Sequence, residues 1–295
     1  MSEPVTIALG DLVAKINPQG AQLSSLALGG NEYLWQADPA VWGKHAPILF
    51  PIVGSIRDGK AESAQGPVTL GRHGLARDYE HAVVAQSDDS VTFELTDSEA
   101  TRAAYPYAFK LNMTYALTGP ASLTQTFRVE NTGDVDLPFS VGGHPAFNVP
   151  APGTEGEGFD DYELAFTRPW SCVAPKICDG GLLTYRTAEM VLDRADTLPI
   201  TRELFDADAV MLSNVPDDTL TLRSRVSGHG VKIDFPGFKY IGIWSAKGDA
   251  PFVALEPWTG HATLDTEDNV LEHKRNITIL EPGAVDEHSF TVTLL

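Results

Sequence analysis

The chain has 295 residues, 43% of them hydrophobic, which is long enough and apolar enough to bury a sizeable core. Acidic residues outnumber basic ones 40 to 21, so the formal charge of −19 argues against nucleic acid and anionic lipid as partners. The sequence has neither an apolar run of the about 18 residues that span a membrane nor a signal-peptide pattern, so we expect a cytoplasmic protein. A neutral small molecule suits this charge best, unless local arginines override it.

Short segments with period-two alternation dominate the chain. The odd positions from Phe109 to Leu117 are apolar, and the alternation resumes from Leu123 to Val129 after a turn at Gly119-Pro120. This pattern predicts an antiparallel hairpin with one buried face. Shorter segments of the same kind are Val91–Thr96, Leu220–Val226, Val231–Phe235, Tyr240–Trp244, Phe252–Leu255 and Ser289–Leu294.

Helical signals are few. Asp38-Pro39 resembles an N-cap followed by proline at the first helical position, which predicts one or two helical turns. Short helical pieces are also predicted at Ser98–Ala104 and Thr201–Phe205. Many strands without a recurring helix favour an all-β sandwich or barrel. Since no repeat or linker is evident, we expect residues 1–295 to form a single domain.

The two cysteines, Cys172 and Cys178, lie close together in the sequence. A local disulfide is one interpretation, but two reduced thiols are the expectation for a cytosolic chain.

Four segments interrupt the alternation with glycine, proline, histidine and aromatic residues. Sugars present apolar C–H faces that stack on aromatic rings and hydroxyls that pair with polar side chains, so such segments suit a carbohydrate site. The segments are His45–Lys60, Arg72–Tyr79, Val141–Asn148 and Ala254–His261.

His144 and Glu256 are the two strongest candidates for site residues. His144 follows Gly142-Gly143, which would let the backbone pass close to a ligand; the alternative is a turn histidine that satisfies local hydrogen bonds. Glu256 lies between an apolar strand and Trp258, and partial burial there would raise its pKa and make it a usable base. The alternative for Glu256 is an ordinary strand-end carboxylate in solvent.

The remaining candidates carry weaker signals. His73 and Arg77 share one segment, and a loop histidine beside a surface Arg–Asp pair is the alternative interpretation. Arg57 could belong to a charged hairpin tip, and Asp208 could be a solvated carboxylate of an acidic chain.

Taken in order, these segments resemble the aldose 1-epimerase superfamily, and its LacX-like branch in particular. The most specific match is the Gly-Gly-His-Pro-Ala-Phe stretch that begins at Gly142. The other matching stretches are Phe50-Pro51-Ile52-Val53-Gly54, His73-Gly74-Leu75-Ala76-Arg77-Asp78 and Glu256-Pro257-Trp258, with a weaker one from Leu204 to Ala209.

The resemblance implies a large antiparallel β-sandwich of the galactose mutarotase type with its site on a concave sheet face. It implies that His144 is a general acid and Glu256 a general base that interconvert the α and β anomers of an aldohexose without metal or cofactor. His73 would bind the sugar, and Asp208 would bind its hydroxyls. Asp208 would also raise the pKa of the acid histidine.

One departure from the family pattern affects the binding side of the site. The arginine that often follows Phe-Pro-x-x-Gly is replaced here by Ser55, and Arg57 is the candidate to reach the same region. Arg57, Arg72 and Arg77 could instead form a cluster for a hexose 6-phosphate, although the net charge favours the free sugar.

Two other classes of protein compete with this hypothesis. A non-catalytic sugar-binding protein of the same fold would need the aromatic residues but no acid–base pair. A metal-dependent, cupin-like isomerase would need two histidines one residue apart, and none of the eight histidines is so spaced. The expected partner is a small sugar, and the expected state is a monomer or homodimer.

Overall fold

The computed structural model describes residues 2–295, and all ladders between its strands are antiparallel. The first strands are β1 (Val5–Leu9), β2 (Leu12–Asn17), β3 (Gln22–Leu28), β4 (Asn31–Glu32), β5 (Ile48–Leu49), β6 (Lys60–Ala61), β7 (Val68–Thr69), β8 (Ala82–Gln86), β9 (Ser90–Thr96), β10 (Lys110–Gly119), β11 (Ser122–Glu130) and β12 (Leu137–Phe139). The others are β13 (Gly142–Gly143), β14 (Ala146–Asn148), β15 (Tyr162–Cys178), β16 (Leu182–Pro199), β17 (Val210–Ser213), β18 (Thr219–Ser224), β19 (Gly230–Asp234), β20 (Tyr240–Trp244), β21 (Phe252–Trp258), β22 (Thr278–Leu280) and β23 (Val285–Leu294).

Two large sheets form the body of the sandwich. One has nine strands in the order β16-β15-β18-β19-β23-β11-β10-β9-β8. The other has the order β17-β20-β21-β13-β5, with β14 paired to β21. A four-stranded sheet, β1-β2-β3-β4, and the small pairs β12-β22 and β6-β7 complete the fold. The expected antiparallel β-sandwich is therefore confirmed.

The hairpin predicted from alternation is β10–β11, which lies between β23 and β9 in the nine-stranded sheet. Met113 lies opposite Phe127, and both side chains are buried because each belongs to the apolar set of its strand. The polar partners on the other face include Thr114 and Thr126, which remain partly exposed. One buried face per strand is what period-two patterning predicts.

The second large sheet buries both of its faces. On β21, Val253 and Leu255 belong to the core between the sheets, whereas Phe252, Ala254 and Trp258 point to the opposite face. Neighbouring strands alternate in the same way, so this opposite face carries a second row of large side chains. It is the face on which the candidate site lies, because even-numbered residues of β20 and β21 project there.

The longest hairpin, β15–β16, was not predicted. Its pairing shifts register between Ala165 and Trp170 and again between Ala174 and Lys176, so no stretch keeps a regular alternation. Much of the hairpin is also exposed on both faces, including Val173 at 48% and Met190 at 58%. Periodicity fails where neither face of a strand is consistently buried.

The helical predictions met with mixed outcomes. Ser98 caps the helix α1 (Glu99–Ala104) as expected, through a capping box with Thr101, and residues Arg202–Phe205 form a 3-10 helix. The prediction at Asp38-Pro39 is confirmed in part: Asp38 Oδ1 accepts the Ala40 N–H and one hydrogen-bonded turn follows, but no helix forms. Other 3-10 helices are Arg57–Gly59, Ala76–Asp78, Phe159–Asp161, Asp179–Gly181, Pro216–Asp218 and Leu271–His273.

Cys172 is buried and Cys178 is partly buried, and neither forms a disulfide. Over residues 2–295, the structure contains no helix that is long and apolar enough to cross a membrane.

Candidate active site

Glu256 is held in the middle of strand β21, whereas the sequence suggested that it ends the strand. The ladder continues through Pro257 to Trp258, and Glu256 lies directly opposite Gly242 of β20. Its side chain is 2% exposed, so the interpretation of a solvated strand-end carboxylate does not hold. The absence of a side chain at Gly242 leaves room for the Trp258 ring, because a Cβ there would lie 2.4 Å from Trp258 Cζ2.

His144 occupies the short connection between β13 and β14, both of which pair with β21. The sequence suggested that Gly142 and Gly143 bring the backbone close to a ligand. The structure corrects this: a Cβ on Gly142 would lie 2.8 Å from Trp258, and one on Gly143 would lie 2.7 Å from Phe290 of the opposite sheet. The two glycines therefore allow close packing around β13, and this packing fixes the position of His144.

The two candidate catalytic side chains are in contact. His144 Nε2 lies 3.2 Å from Glu256 Oε1, and both residues are buried. Glu256 Oε2 and His144 Nδ1 have no hydrogen-bond partner among residues 2–295. Buried polar atoms are nearly always paired, so unpaired atoms in a cavity mark places where a ligand can bind.

Burial pushes both groups of the pair towards their neutral forms. Burial, with the nearby charges of Arg77 and Lys44, lowers the pKa of His144 to about 3. Burial, followed by the charge of Asp208, raises the pKa of Glu256 well above its ordinary value. The expectation that Asp208 raises the histidine pKa was wrong, since cations dominate around His144 and Asp208 acts on Glu256.

The neutral pair and the ion pair contain the same single proton. In the neutral pair the proton lies on Glu256, and in the ion pair it lies on His144. The two forms interconvert by transfer along the 3.2 Å contact between Oε1 and Nε2. Groups this close titrate as a unit, so the pair can present an acid and a base to a ligand without exchanging protons with solvent.

Three tryptophans form the apolar walls around the pair. The ring of Trp42 stacks on the His144 imidazole at a centroid distance of 5.0 Å, and Trp244 meets the same imidazole edge-on at 5.5 Å. Trp258 also lines the cavity. The turn at Asp38 positions Trp42, because its carbonyl accepts the Trp42 N–H at 2.8 Å. Aromatic planes of this kind suit the C–H faces of a sugar ring.

His73 and Arg77, which the sequence analysis named as site candidates in one segment, both line the same cavity. The backbone N–H of Gly54 donates to His73 Nδ1 at 3.1 Å, which leaves the proton of a neutral imidazole on Nε2. Burial, with the charge of His144, lowers the pKa of His73 well below its ordinary value. The Arg77 guanidinium donates from Nη2 to the Arg72 carbonyl, and its Nε has no partner among the described residues.

Asp208 lines the cavity in a left-handed backbone conformation and is joined to Arg72, which the sequence had marked only as a member of a phosphate-binding cluster. Arg72 Nη1 lies 3.1 Å from Asp208 Oδ2, and this ion pair is partly exposed. A Cβ on Gly181, in the turn between β15 and β16, would lie 2.7 Å from Arg72 Nη2 and 2.8 Å from Ser55 Oγ. The hairpin turn and Arg72 therefore fill the region beside Ser55.

Arg57 does not line the cavity. Its Nη2 donates to the carbonyls of Leu264 and Glu267, at 3.2 and 3.0 Å, and its Nε donates to Asn269 Oδ1. These contacts hold the loop that follows β21. The expectation that Arg57 replaces the arginine missing at Ser55 is corrected, because Arg72 is the arginine that reaches this side of the cavity.

The cavity that these residues enclose has a volume of about 240 Å³. Sites for drug-sized ligands measure about 300–1,000 Å³, so this one is suited to a small ligand of monosaccharide size. Over residues 2–295, no group of three or more His, Cys, Asp or Glu side chains is arranged to hold a metal ion.

Sequence reasoning missed several cavity residues, of which Trp42, Lys44 and Trp244 bear most on the chemistry of the site. Trp42 and Lys44 lie in irregular backbone just before the His45 segment, where no periodic pattern marks them. Trp244 belongs to a predicted strand, and its aromatic side chain at the end of that strand was the available signal.

Comparison with known proteins agrees with this architecture. Residues 4–278 match the family model described as aldose 1-epimerase. The plasmid-encoded protein LacX of Lactococcus lactis subsp. lactis is 37% identical over 292 residues, covering 96% of this chain and 97% of LacX.

Two solved structures are similar over nearly the whole chain. The galactose mutarotase related enzyme from Lactobacillus acidophilus is 31% identical, with a TM-score of 0.92 over 99% of this chain and 97% of that one. The galactose mutarotase-like protein from Lactobacillus casei is 31% identical, with a TM-score of 0.88 over 99% and 100% of the two chains. The family match, the relatives and the fold lead to one conclusion: this chain belongs to the aldose 1-epimerase family.

Proposed function

We propose that the protein is an aldose 1-epimerase that interconverts the α and β anomers of an aldohexose. The observation that carries the proposal is the buried contact between His144 and Glu256 in a cavity with tryptophan walls. A sugar ring stacked on Trp42 or Trp244 would bring its anomeric carbon and ring oxygen close to His144 and Glu256.

The reaction is a proton exchange at two oxygens. Glu256, as the carboxylate, removes the proton of the anomeric hydroxyl while His144, as the imidazolium, protonates the ring oxygen. The ring opens to the aldehyde, the C1–C2 bond rotates, and closure with the two roles reversed forms the other anomer. Each positioned proton transfer contributes about 10²–10⁴ in rate, so the pair accounts for a large acceleration of a reaction that already proceeds in water.

Three polar side chains of the cavity support substrate binding in this proposal. His73 Nε2–H and the Asp208 carboxylate provide a donor and an acceptor for sugar hydroxyls. Arg72 holds Asp208 through the 3.1 Å ion pair, which keeps the carboxylate oriented over the cavity. Their positions support a neutral, hydroxyl-rich substrate.

A hexose 6-phosphate is the second candidate substrate, and one observation favours it. Lys44, Arg72 and Arg77 all line the cavity, and Lys44 makes no ion pair within residues 2–295. A phosphate needs such charge-assisted donors. The carboxylates of Asp208 and Glu256 and the chain's net charge of −19 oppose it, so the free aldose remains the first choice.

Anomer exchange with freshly dissolved α-glucose, α-galactose and α-glucose 6-phosphate tests the proposal, followed by polarimetry or by NMR of the anomeric protons. We expect catalysis of at least one sugar, with the preferred substrate identified by kcat/KM. Lys44→Ala should lower kcat/KM only for the phosphorylated sugar. Sugar binding without faster exchange for any of the three would instead support a non-catalytic binding protein.

A further inference from the structure

A second cleft lies on the far side of the cavity wall. It has a volume of about 350 Å³ and shares no lining residue with the catalytic cavity. Leu183 and Met211 line the catalytic cavity, whereas Tyr185 and Ser213, two positions further along the same strands, line the second cleft. Two residues advance a strand by about 7 Å, so the two cavities are neighbours along the edge strands of both large sheets.

The second cleft combines two cations with an exposed aromatic ring. Lys239 and Arg275 both line it, and neither forms an ion pair with a carboxylate in the described part of the chain. The Arg275 guanidinium lies 5.8 Å from the centre of the Tyr185 ring, which is 42% exposed. In a chain with a formal charge of −19, two cations that line one cleft and form no ion pair within residues 2–295 favour an anionic ligand, although Asp218 adds one carboxylate to the same lining.

Amide and carboxylate side chains complete the lining. Asn276 accepts from Lys239 Nζ at 3.4 Å and donates to the Tyr240 hydroxyl, so its amide is held at the cleft wall. Asn214 and Asp218 also line the cleft. Such groups bind hydroxyls, whereas Lys239 and Arg275 provide the charge-assisted donors that phosphate oxygens require.

Left-handed backbone conformations outside glycine occur in both cavities, as well as at other positions of the chain. His73 and Asp208 of the catalytic cavity have left-handed φ values, and so do Asn214, Asp218 and Asn276 of the second cleft, at 58°, 48° and 61°. Such conformations are uncommon outside glycine and cluster at ligand sites. Three polar residues of the cleft lining therefore have backbone conformations that are uncommon outside glycine.

We propose that the second cleft binds a phosphate monoester that carries a hydroxylated ring, with the phosphate between Lys239 and Arg275 and the ring against Tyr185. Sugar phosphates and nucleoside monophosphates share this chemistry. Such a ligand would occupy a site separate from the reacting sugar, behind the wall that includes Tyr240 and Trp258.

Calorimetric titration with glucose 6-phosphate, adenosine 5′-monophosphate and inorganic phosphate tests the proposal. The test variant is Lys239→Ala/Arg275→Ala, and both side chains are exposed, so the substitutions open no core. The charge-matched control is Arg194→Ala/Lys247→Ala, at two exposed positions away from the cleft. Unfolding midpoints confirm that each variant is folded.

We expect the test variant to bind at least one ester about tenfold or more weakly than the wild type, with the control unchanged. Tyr185→Ala should weaken the binding of the two ring-bearing esters but not of inorganic phosphate, and the tighter of the two identifies the ligand class. The anomer exchange of free glucose should be unaffected in both variants. The proposal is overturned if the wild type binds none of the probes, or if binding is lost with Lys44→Ala and kept with Lys239→Ala/Arg275→Ala.

Discussion

Replacing Glu256 by glutamine removes the proposed base while preserving the shape of the side chain. The amide can still contact His144 Nε2 across the 3.2 Å that separates the two side chains. It cannot accept the proton of an anomeric hydroxyl, so the variant loses the general-base contribution. That contribution is about 10²–10⁴ in kcat, or about 3–5 kcal/mol of transition-state stabilisation.

Stability should change in the opposite direction. The folded-state pKa of Glu256 is raised by burial and by Asp208, so the folded protein binds this proton more tightly than the unfolded chain. The carboxyl group's contribution to stability is therefore present below its ordinary pKa of 4.5 and is lost as the pH rises through the raised value. A neutral glutamine avoids that loss, so Glu256→Gln should be at least as stable as the wild type at neutral pH.

Two measurements check this prediction: anomer exchange by polarimetry, and thermal unfolding at neutral pH and near pH 4. The matched control is Glu281→Gln, which neutralises an exposed turn carboxylate and should change neither quantity. A variant that exchanged anomers at the wild-type rate would refute the role of Glu256 as the base. A variant that unfolded at a lower temperature than the wild type at neutral pH would refute the argument that the buried carboxylate opposes folding.

Three further predictions concern the surroundings of the pair. Burial and nearby cations lower the His144 pKa to about 3, so the acid limb of the kcat/KM–pH profile should lie well below 6.5; an acid limb near 6.5 would contradict this. Trp42→Ala removes the ring that stacks on His144, and an aromatic contact of this kind contributes roughly 1.4 kcal/mol. We therefore expect kcat/KM for the sugar to fall about tenfold in steady-state kinetics. An unchanged kcat/KM would argue against stacking of the sugar on Trp42. Arg57→Ala should lower the unfolding midpoint, because the guanidinium holds the loop after β21. KM should stay unchanged, and a raised KM would indicate that Arg57 contributes to substrate binding.

Local patterns predicted the regular parts of the fold. Alternation in the chain predicted the β10–β11 hairpin because each strand has one fully buried face, as Met113 and Phe127 illustrate. The β15–β16 hairpin has bulges and two exposed faces, so its pattern is set by tertiary position and not by periodicity. At Asp38-Pro39 the capping signal was real, but it closes a single turn that positions Trp42.

The site followed a similar division. Motifs predicted His144, His73 and Arg77 together with Glu256, and the structure brings all four to one cavity. Which arginine takes the side of the cavity next to Ser55 could not be deduced, because the path of the chain decides it. Arg57 turns away to carbonyl oxygens of a neighbouring loop, whereas Arg72 reaches Asp208.

The turn at Gly181 has a consequence for how substrate range could change. Glu256 lies on a central strand of one sheet and His144 lies in the connection beside it, whereas part of the cavity wall comes from the tip of an edge hairpin of the other sheet. Asp179 and Gly180 at this tip are exposed, and exposed tips tolerate inserted and deleted residues. Lengthening or shortening this turn would enlarge or narrow the entrance beside Arg72 without disturbing His144 or Glu256. The fold thus separates His144 and Glu256, where we propose the chemistry occurs, from a turn whose length would set which ligands enter.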